Sequence, residues 1–70
     1  MQRIPVTSTM LASVGYDATT RTLEAEFAGG GVYRYSDVPP EVHEDLMAAE
    51  SHGRYFNAHI RGCYPYDRVA

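Results

Sequence analysis

The sequence predicts an α+β fold, a three-stranded antiparallel β-meander followed by two short helices packed on one face. Three observations lead there. Residues 22–27 alternate between apolar Leu23, Ala25 and Phe27 and polar Thr22, Glu24 and Glu26, the pattern of a half-buried strand. The run Ala28-Gly29-Gly30-Gly31 then separates this segment from Tyr33-x-Tyr35, as a hairpin loop tolerant of positive φ would. Finally, Val38-Pro39-Pro40 precedes Val42, Leu46 and Ala49, which recur at helical spacing and form one apolar stripe.

Each element follows from its neighbours. Leu11 to Tyr16 places Val14 and Tyr16 two apart and reads as the first strand. Asp17-Ala18-Thr19-Thr20 joins it to the second, with Asp17 at the turn position where its carboxylate can accept from the backbone ahead. The hairpin loop sets the register of the third strand. A two-residue loop pairs Phe27 with Val32 and turns Tyr33 and Tyr35 onto the glutamate face, where they would make an exposed stacking platform. A three-residue loop, with Gly30 left-handed, pairs Phe27 with Gly31, sets Tyr33 opposite Ala25 and Tyr35 opposite Leu23, and brings Arg34 to Glu24. The second register buries two aromatics and pairs opposite charges, so it is preferred. Pro39 and Pro40 suit a first helical turn, with Ser36 or Asp37 as cap and Glu41 and Glu44 at the positive end of the dipole. Gly53 is expected to end this helix in the left-handed conformation. A second helix is expected over residues 54–61, with Phe56 and Ile60 on its apolar face; Gly62 closes it, and residues 63–66 leave as an extended tail.

The 70 residues make one domain, 44% apolar, with no run long enough to span a bilayer and no signal-peptide core at the start, so the cytoplasm is the expected compartment. Cys63 is the only cysteine, which excludes an internal disulfide. The net charge is −3, and all six cations are arginine. Residues 37–50 carry five acids and no arginine, while residues 51–70 carry Arg54, Arg61 and Arg68 against Asp67 alone. A negative total disfavours nucleic-acid binding by the whole surface and leaves the C-terminal third as the one basic region.

The ordered set Ser8-Thr9, Val14-Gly15-Tyr16-Asp17, Leu23-x-x-x-Phe27, Tyr33-x-Tyr35, Val38-Pro39, Ala49-Glu50-Ser51-x-Gly53, Tyr55-Phe56-Asn57 and Ile60-Arg61-x-x-Tyr64 resembles the KTSC domain. That short bacterial and phage domain is named for the C-terminus of some lysyl-tRNA synthetases. The resemblance covers residues 1–70 as one domain and implies that Tyr33, Tyr35, Val38, Pro39, Ser51 and Gly53 are motif positions with structural roles. It carries over no established activity; the synthetase association implies RNA, tRNA foremost, as a ligand by analogy. Two departures bear on this. His52, Ala58 and His59 stand where lysines are common, which lowers the local positive charge. His43 stands where an aromatic is usual and reads as a packing substitute.

Catalytic chemistry finds little footing. His52, His59 and Cys63 lack the third or fourth ligand that a zinc site needs, and Gly62 interrupts the helix between the last two. A Cys-His nucleophilic pair would lack an orienting group. The glycine run lies between strands with no helix to hold a phosphate. The expectation is therefore no enzyme, no metal and no cofactor. The candidate nucleic-acid-binding residues are Arg34, Arg54, Tyr55, Asn57, His59, Arg61 and Tyr64, with Tyr66 following: arginines for phosphates, aromatics for unpaired bases. Two competing roles stay open, Tyr55 and Tyr64 as core-edge residues and Arg54 and Arg61 as partners of the acidic helix. The functional expectation is a small binding module for RNA. The alternative is a protein-interaction module that binds a protein partner, or a second copy, through the acidic helix or a sheet edge.

Overall fold

In the computed structural model, which describes residues 1–70, the chain runs β1 (Arg3–Pro5), β2 (Leu11–Asp17), β3 (Thr22–Phe27), β4 (Val32–Tyr35), α1 (Pro40–Ala48), α2 (His52–His59) and β5 (Tyr66–Arg68). The α+β class and the meander stand, but the sheet has five antiparallel strands, ordered β1-β2-β3-β4-β5, rather than three. The two additional strands are its edges. Each is three residues long, too short to show alternation, and β1 ends on Pro5, which an edge tolerates because its missing N–H leaves no partner wanting. Residues 66–68 are thus a strand and not a free tail. β5 is drawn in by Ser36 N–H donating to the Pro65 carbonyl at 2.8 Å and Val69 N–H to the Val32 carbonyl at 2.8 Å.

The central register is the three-residue-loop one. Leu23 faces Tyr35, Glu24 faces Arg34 and Ala25 faces Tyr33. Phe27 N–H donates to the Gly31 carbonyl at 3.0 Å, and Gly30 and Gly31 take φ of 105° and 91°, a backbone that side-chain-bearing residues rarely adopt. The Asp17 carboxylate accepts from Thr19 N–H at 2.9 Å, closing the β2–β3 turn as its position predicts.

This register separates two faces. On one, Val14, Leu23, Ala25 and Tyr35 meet Val38, Leu46, Phe56 and Ile60 in a single core. Phe56 sits at its centre, fully buried, with edge-to-face contacts to Phe27 (centroids 5.5 Å) and Tyr35 (5.3 Å). The helices leave the other face uncovered. There Arg3, Gly15, Glu24, Arg34 and Asp67 line up across all five strands. Glu24 is only 6% exposed, gripped by Arg3 Nη1 at 2.6 Å and Arg34 Nε at 3.1 Å. Burial alone would raise its carboxyl, but the hydrogen bonds and charges of Arg34 and Arg3 outweigh that and hold it below its ordinary value. A Cβ at Gly15 would stand 3.0 Å from Arg3 Cγ, so the glycine makes room for one half of this clamp.

The helix boundaries differ from expectation at both ends. α1 begins at Pro40 with Pro39 as an extended N-cap; neither Ser36 nor Asp37 caps it. Prolines need no cap at a position whose N–H is already absent. The helix ends at Ala48, and Ala49 is extended. Gly53 is not its left-handed terminator. It is the second residue of α2, helical and buried, where a Cβ would lie 3.1 Å from Met10 Cβ and 3.4 Å from Ser8 Oγ. Glycine stands there so that α2 can press on the Ser8–Met10 loop. Ser51 is the N-cap of α2, its hydroxyl accepting from Arg54 N–H at 3.2 Å, so the helix starts two residues earlier than expected.

His43 is the packing residue that its position implies. Its ring stacks on Tyr16 with centroids 4.7 Å apart and planes 8° from parallel, while the Tyr16 hydroxyl donates to the Val38 carbonyl. Burial lowers the His43 pKa below 6.5, against a smaller raising effect from Glu44. The folded state therefore favours neutral imidazole. The unfolded chain protonates first as pH drops, so the contribution is full above about pH 6.5 and falls away as pH passes down through the lower folded value. Thermal melts between pH 7.5 and pH 5, on the order of one unit either side of an ordinary histidine pKa, should show a decline in stability that His43→Phe reduces. An equal slope in both proteins would rule this out.

Candidate nucleic-acid interface

The predicted patch divides in two on α2. α2 ends at His59 rather than at residue 61, so Arg54 and Asn57 lie on the helix and Arg61 in the turn after it; all three are exposed, Arg61 Nη1 donating to Asn57 Oδ1 at 3.4 Å. Tyr55 and His59 lie on a different flank, their rings 4.5 Å apart, both apart from those three. Tyr55 and Tyr64 are partly buried against the core, as core-edge residues. Burial raises the Tyr55 pKa, and Asp45 and Tyr64 add to the shift, which places this flank beside the acidic helix. Arg34 belongs to neither group: its partner is Glu24, on the far face of the sheet. Neighbouring residues of a strand point to opposite faces, so Arg34, between Tyr33 and Tyr35, lies away from the cations of the C-terminal third.

The pairing of Arg54 and Arg61 with the acids of α1 does not occur. The ion pairs of the molecule are the two that Glu24 makes with Arg3 and Arg34. Arg54, Arg61 and Arg68 carry charges with no carboxylate partner.

Arg61 also borders a feature absent from the sequence reading. Between the C-terminal end of α2 and the β4–β5 side of the sheet lies an open cleft of about 500 Å³. Phe27, Tyr33, Tyr35 and Tyr66 give it aromatic walls, Met10 adds a thioether, and Arg61 stands at its rim. The lining contains no acid. Tyr66 reaches it because β5 pairs Tyr66 with Tyr35, and the same strand sets Arg68 beside Tyr33, its guanidinium carbon 5.9 Å from the ring centroid. Arg68 Nε donates to the Ala70 carbonyl at 2.9 Å, and a Cβ on Gly31 would come within 3.5 Å of Arg68 Nη2. Tyr35 itself is 4% exposed and core-bound, and its pKa is raised by burial, with Arg61 acting in the opposite sense. Tyr33 is half-buried. Of the motif residues, Tyr35, Val38 and Gly53 are buried, and Pro39 and Ser51 stand at helix N-caps. Tyr66 followed the candidate set only as a tail residue and Arg68 was missing from it, because only the pairing of β5 reveals their neighbours.

The residues that invited a metal reading lie in different settings. His52 Nδ1 meets the Leu46 carbonyl at 2.8 Å, tying α2 to the end of α1; His59 packs on Tyr55; Cys63 is exposed. No helix is long and apolar enough to cross a membrane.

Comparison with known proteins gives this architecture a family. A solved crystal structure of a KTSC domain protein from Yersinia pestis superposes with a TM-score of 0.96 at 39% identity, covering 99% of this chain and 97% of that one. An uncharacterized protein of Stutzerimonas stutzeri is 49% identical over 57 residues, 81% of this chain and 80% of the relative. A lysine–tRNA ligase of Nostoc punctiforme is 39% identical over 61 residues, which is 87% of this chain but 11% of the ligase. The model of the KTSC domain matches residues 7–64, and the chain belongs to the KTSC domain family.

Proposed function

We propose that the chain is a small non-catalytic module that binds RNA, with its ligand surface formed by Arg54 on α2, Arg61 in the turn that follows it and Arg68 on β5. The observation that carries the reading is that none of these three guanidinium groups pairs with an Asp or Glu, while Arg61 lines an aromatic cleft and Arg68 lies over one of its rings. Unpaired arginines are available to phosphates, and exposed rings to bases. The match to a segment of lysine–tRNA ligase supports an RNA context and makes tRNA the first ligand to try. Three cations give a modest electrostatic contribution, so binding is expected to be weak and salt-sensitive.

Fluorescence anisotropy with labelled tRNA and with mixed single-stranded RNA, in a salt series, tests the reading. The double substitution Arg54→Gln and Arg61→Gln should weaken binding to all sequences alike and flatten the salt dependence by about one to two phosphate contacts. Its melting should shift by no more than about 0.5 kcal/mol, because both side chains are exposed and neither holds an acid. Marked loss of stability with an unchanged salt slope would retire the patch.

A second reading has one observation of its own. The outer backbone edge of β5 is unpaired, and Tyr66 and Val69 are exposed there at 58% and 43%. Such an edge can take a partner strand, although three residues make a short one. Reproducible recovery of one protein after nuclease treatment would favour this reading over RNA.

A further inference from the structure

We infer that the cleft between α2 and β5 is a pocket for one unpaired nucleobase, which stacks on Tyr66 while the flanking phosphates meet Arg61 and Arg68. The inference rests on the RNA reading above and narrows it to a ligand class, single-stranded RNA with a base free to leave the stack.

The cleft is large enough and of the right chemistry. Its volume of about 500 Å³ lies within the ~300–1,000 Å³ of small-molecule sites. Tyr66 is 58% exposed, unusual for a ring embedded in an aromatic cluster. It is nonetheless held in place, by Tyr33 with centroids 5.8 Å apart and by Tyr35 at 5.5 Å. An exposed ring braced by two others is pre-organised, so stacking upon it costs little ordering. At the edges of the cleft, Gly30 and Gly62 take positive φ and have nothing within 4 Å of where a Cβ would stand, which leaves entry unobstructed. The charge is one-sided: Arg61 lines the cleft, Arg68 lies over Tyr33, and no carboxylate lines it. That combination of aromatic walls and cations suits a base with its phosphates better than an apolar peptide side chain, which would leave both guanidinium groups without use. A base within a duplex is already stacked on its neighbours and is not offered to such a pocket.

The test uses the whole chain, a short mixed-sequence single-stranded RNA, and the same RNA annealed to its complement. The unaltered protein should bind the single strand more tightly than the duplex. Tyr66→Ala should weaken single-strand binding about tenfold, within the range for loss of one stacked base, and leave the salt slope unchanged because no charge is lost. Tyr66→Phe should retain binding. Melting curves of both variants establish that the exposed position leaves the fold intact. If RNA binds but Tyr66→Ala has no effect and duplex binds equally well, the base pocket is wrong and the arginine patch stands. If the unaltered protein binds neither RNA at low salt, both readings fall. If Tyr66→Ala instead abolishes capture of one protein partner, the cleft is a peptide site and the base assignment is overturned.

Discussion

Phe56→Ala is expected to destabilise the domain by about 4 kcal/mol, in the range for deleting a buried aromatic. Phe56 is the largest fully buried side chain, and it joins both halves of the molecule: its ring meets Phe27 and Tyr35 of the sheet, while its backbone carbonyl accepts from Ile60 and Arg61 N–H at the end of α2. Truncation leaves those backbone bonds in place but removes both ring contacts and opens a cavity between α2 and β3–β4 that a small protein cannot easily collapse. A domain of this size has a total stability at the low end of the ~5–15 kcal/mol range, so the variant should be largely unfolded at physiological temperature. Urea titration followed by circular dichroism measures it. A loss under about 1 kcal/mol, typical of peripheral positions, would show that α2 is not the lid of the core.

Removing Glu24 is the second large effect. Glu24→Ala should cost about 2 kcal/mol, below the ~3–5 kcal/mol of a wholly buried pair because Arg3 and Arg34 reach solvent. Much of the loss comes from what remains: two guanidinium groups facing each other across β2 and β3 without an acceptor. The pH dependence supplies an independent check. The folded carboxyl titrates below its ordinary value of 4.5. Its stabilisation is therefore complete above about pH 4.5 and is lost as pH falls through the depressed folded value, because the unfolded chain takes up the proton first. Glu24→Gln should lower stability at neutral pH and reduce the acid-side slope. If both proteins melt alike at neutral pH, the clamp contributes nothing.

Much of the interior was legible because it depends on pattern. The alternation of residues 22–27 and the length of the glycine loop together determine which face Tyr35 occupies, and Tyr35 is buried opposite Leu23. The edges were not legible, since β1 and β5 are short and their partners lie far along the chain. Gly53 shows a different limit. A glycine between two helical segments reads as a positive-φ terminator, whereas its cause is steric and lies with Met10 and Ser8, more than forty residues earlier. The candidate site divides along the same line. Arg54 and Arg61 could be named from helical spacing in and just after α2, whereas the register that pairs Arg34 with Glu24 sets that arginine on the far face of the sheet, apart from them. The cleft joins β3, β4, α2 and β5, so no local window of sequence contains it.

The strand order carries a consequence for how the molecule assembles. β1 to β4 pair each with the next in chain order across short loops and can zip up as successive hairpins. β5 differs, because its pairing with β4 must close a loop that contains both helices. Such a closure carries a larger entropic cost and comes late in folding. β5 has three exposed residues, and its hold on the sheet rests on its pairing with β4 and on the contacts of Tyr66 with Tyr33 and Tyr35. Tyr66 and Arg68 ride on that strand, so the ligand surface completes itself last, and a bound ligand that touches them would act as a latch on the chain end.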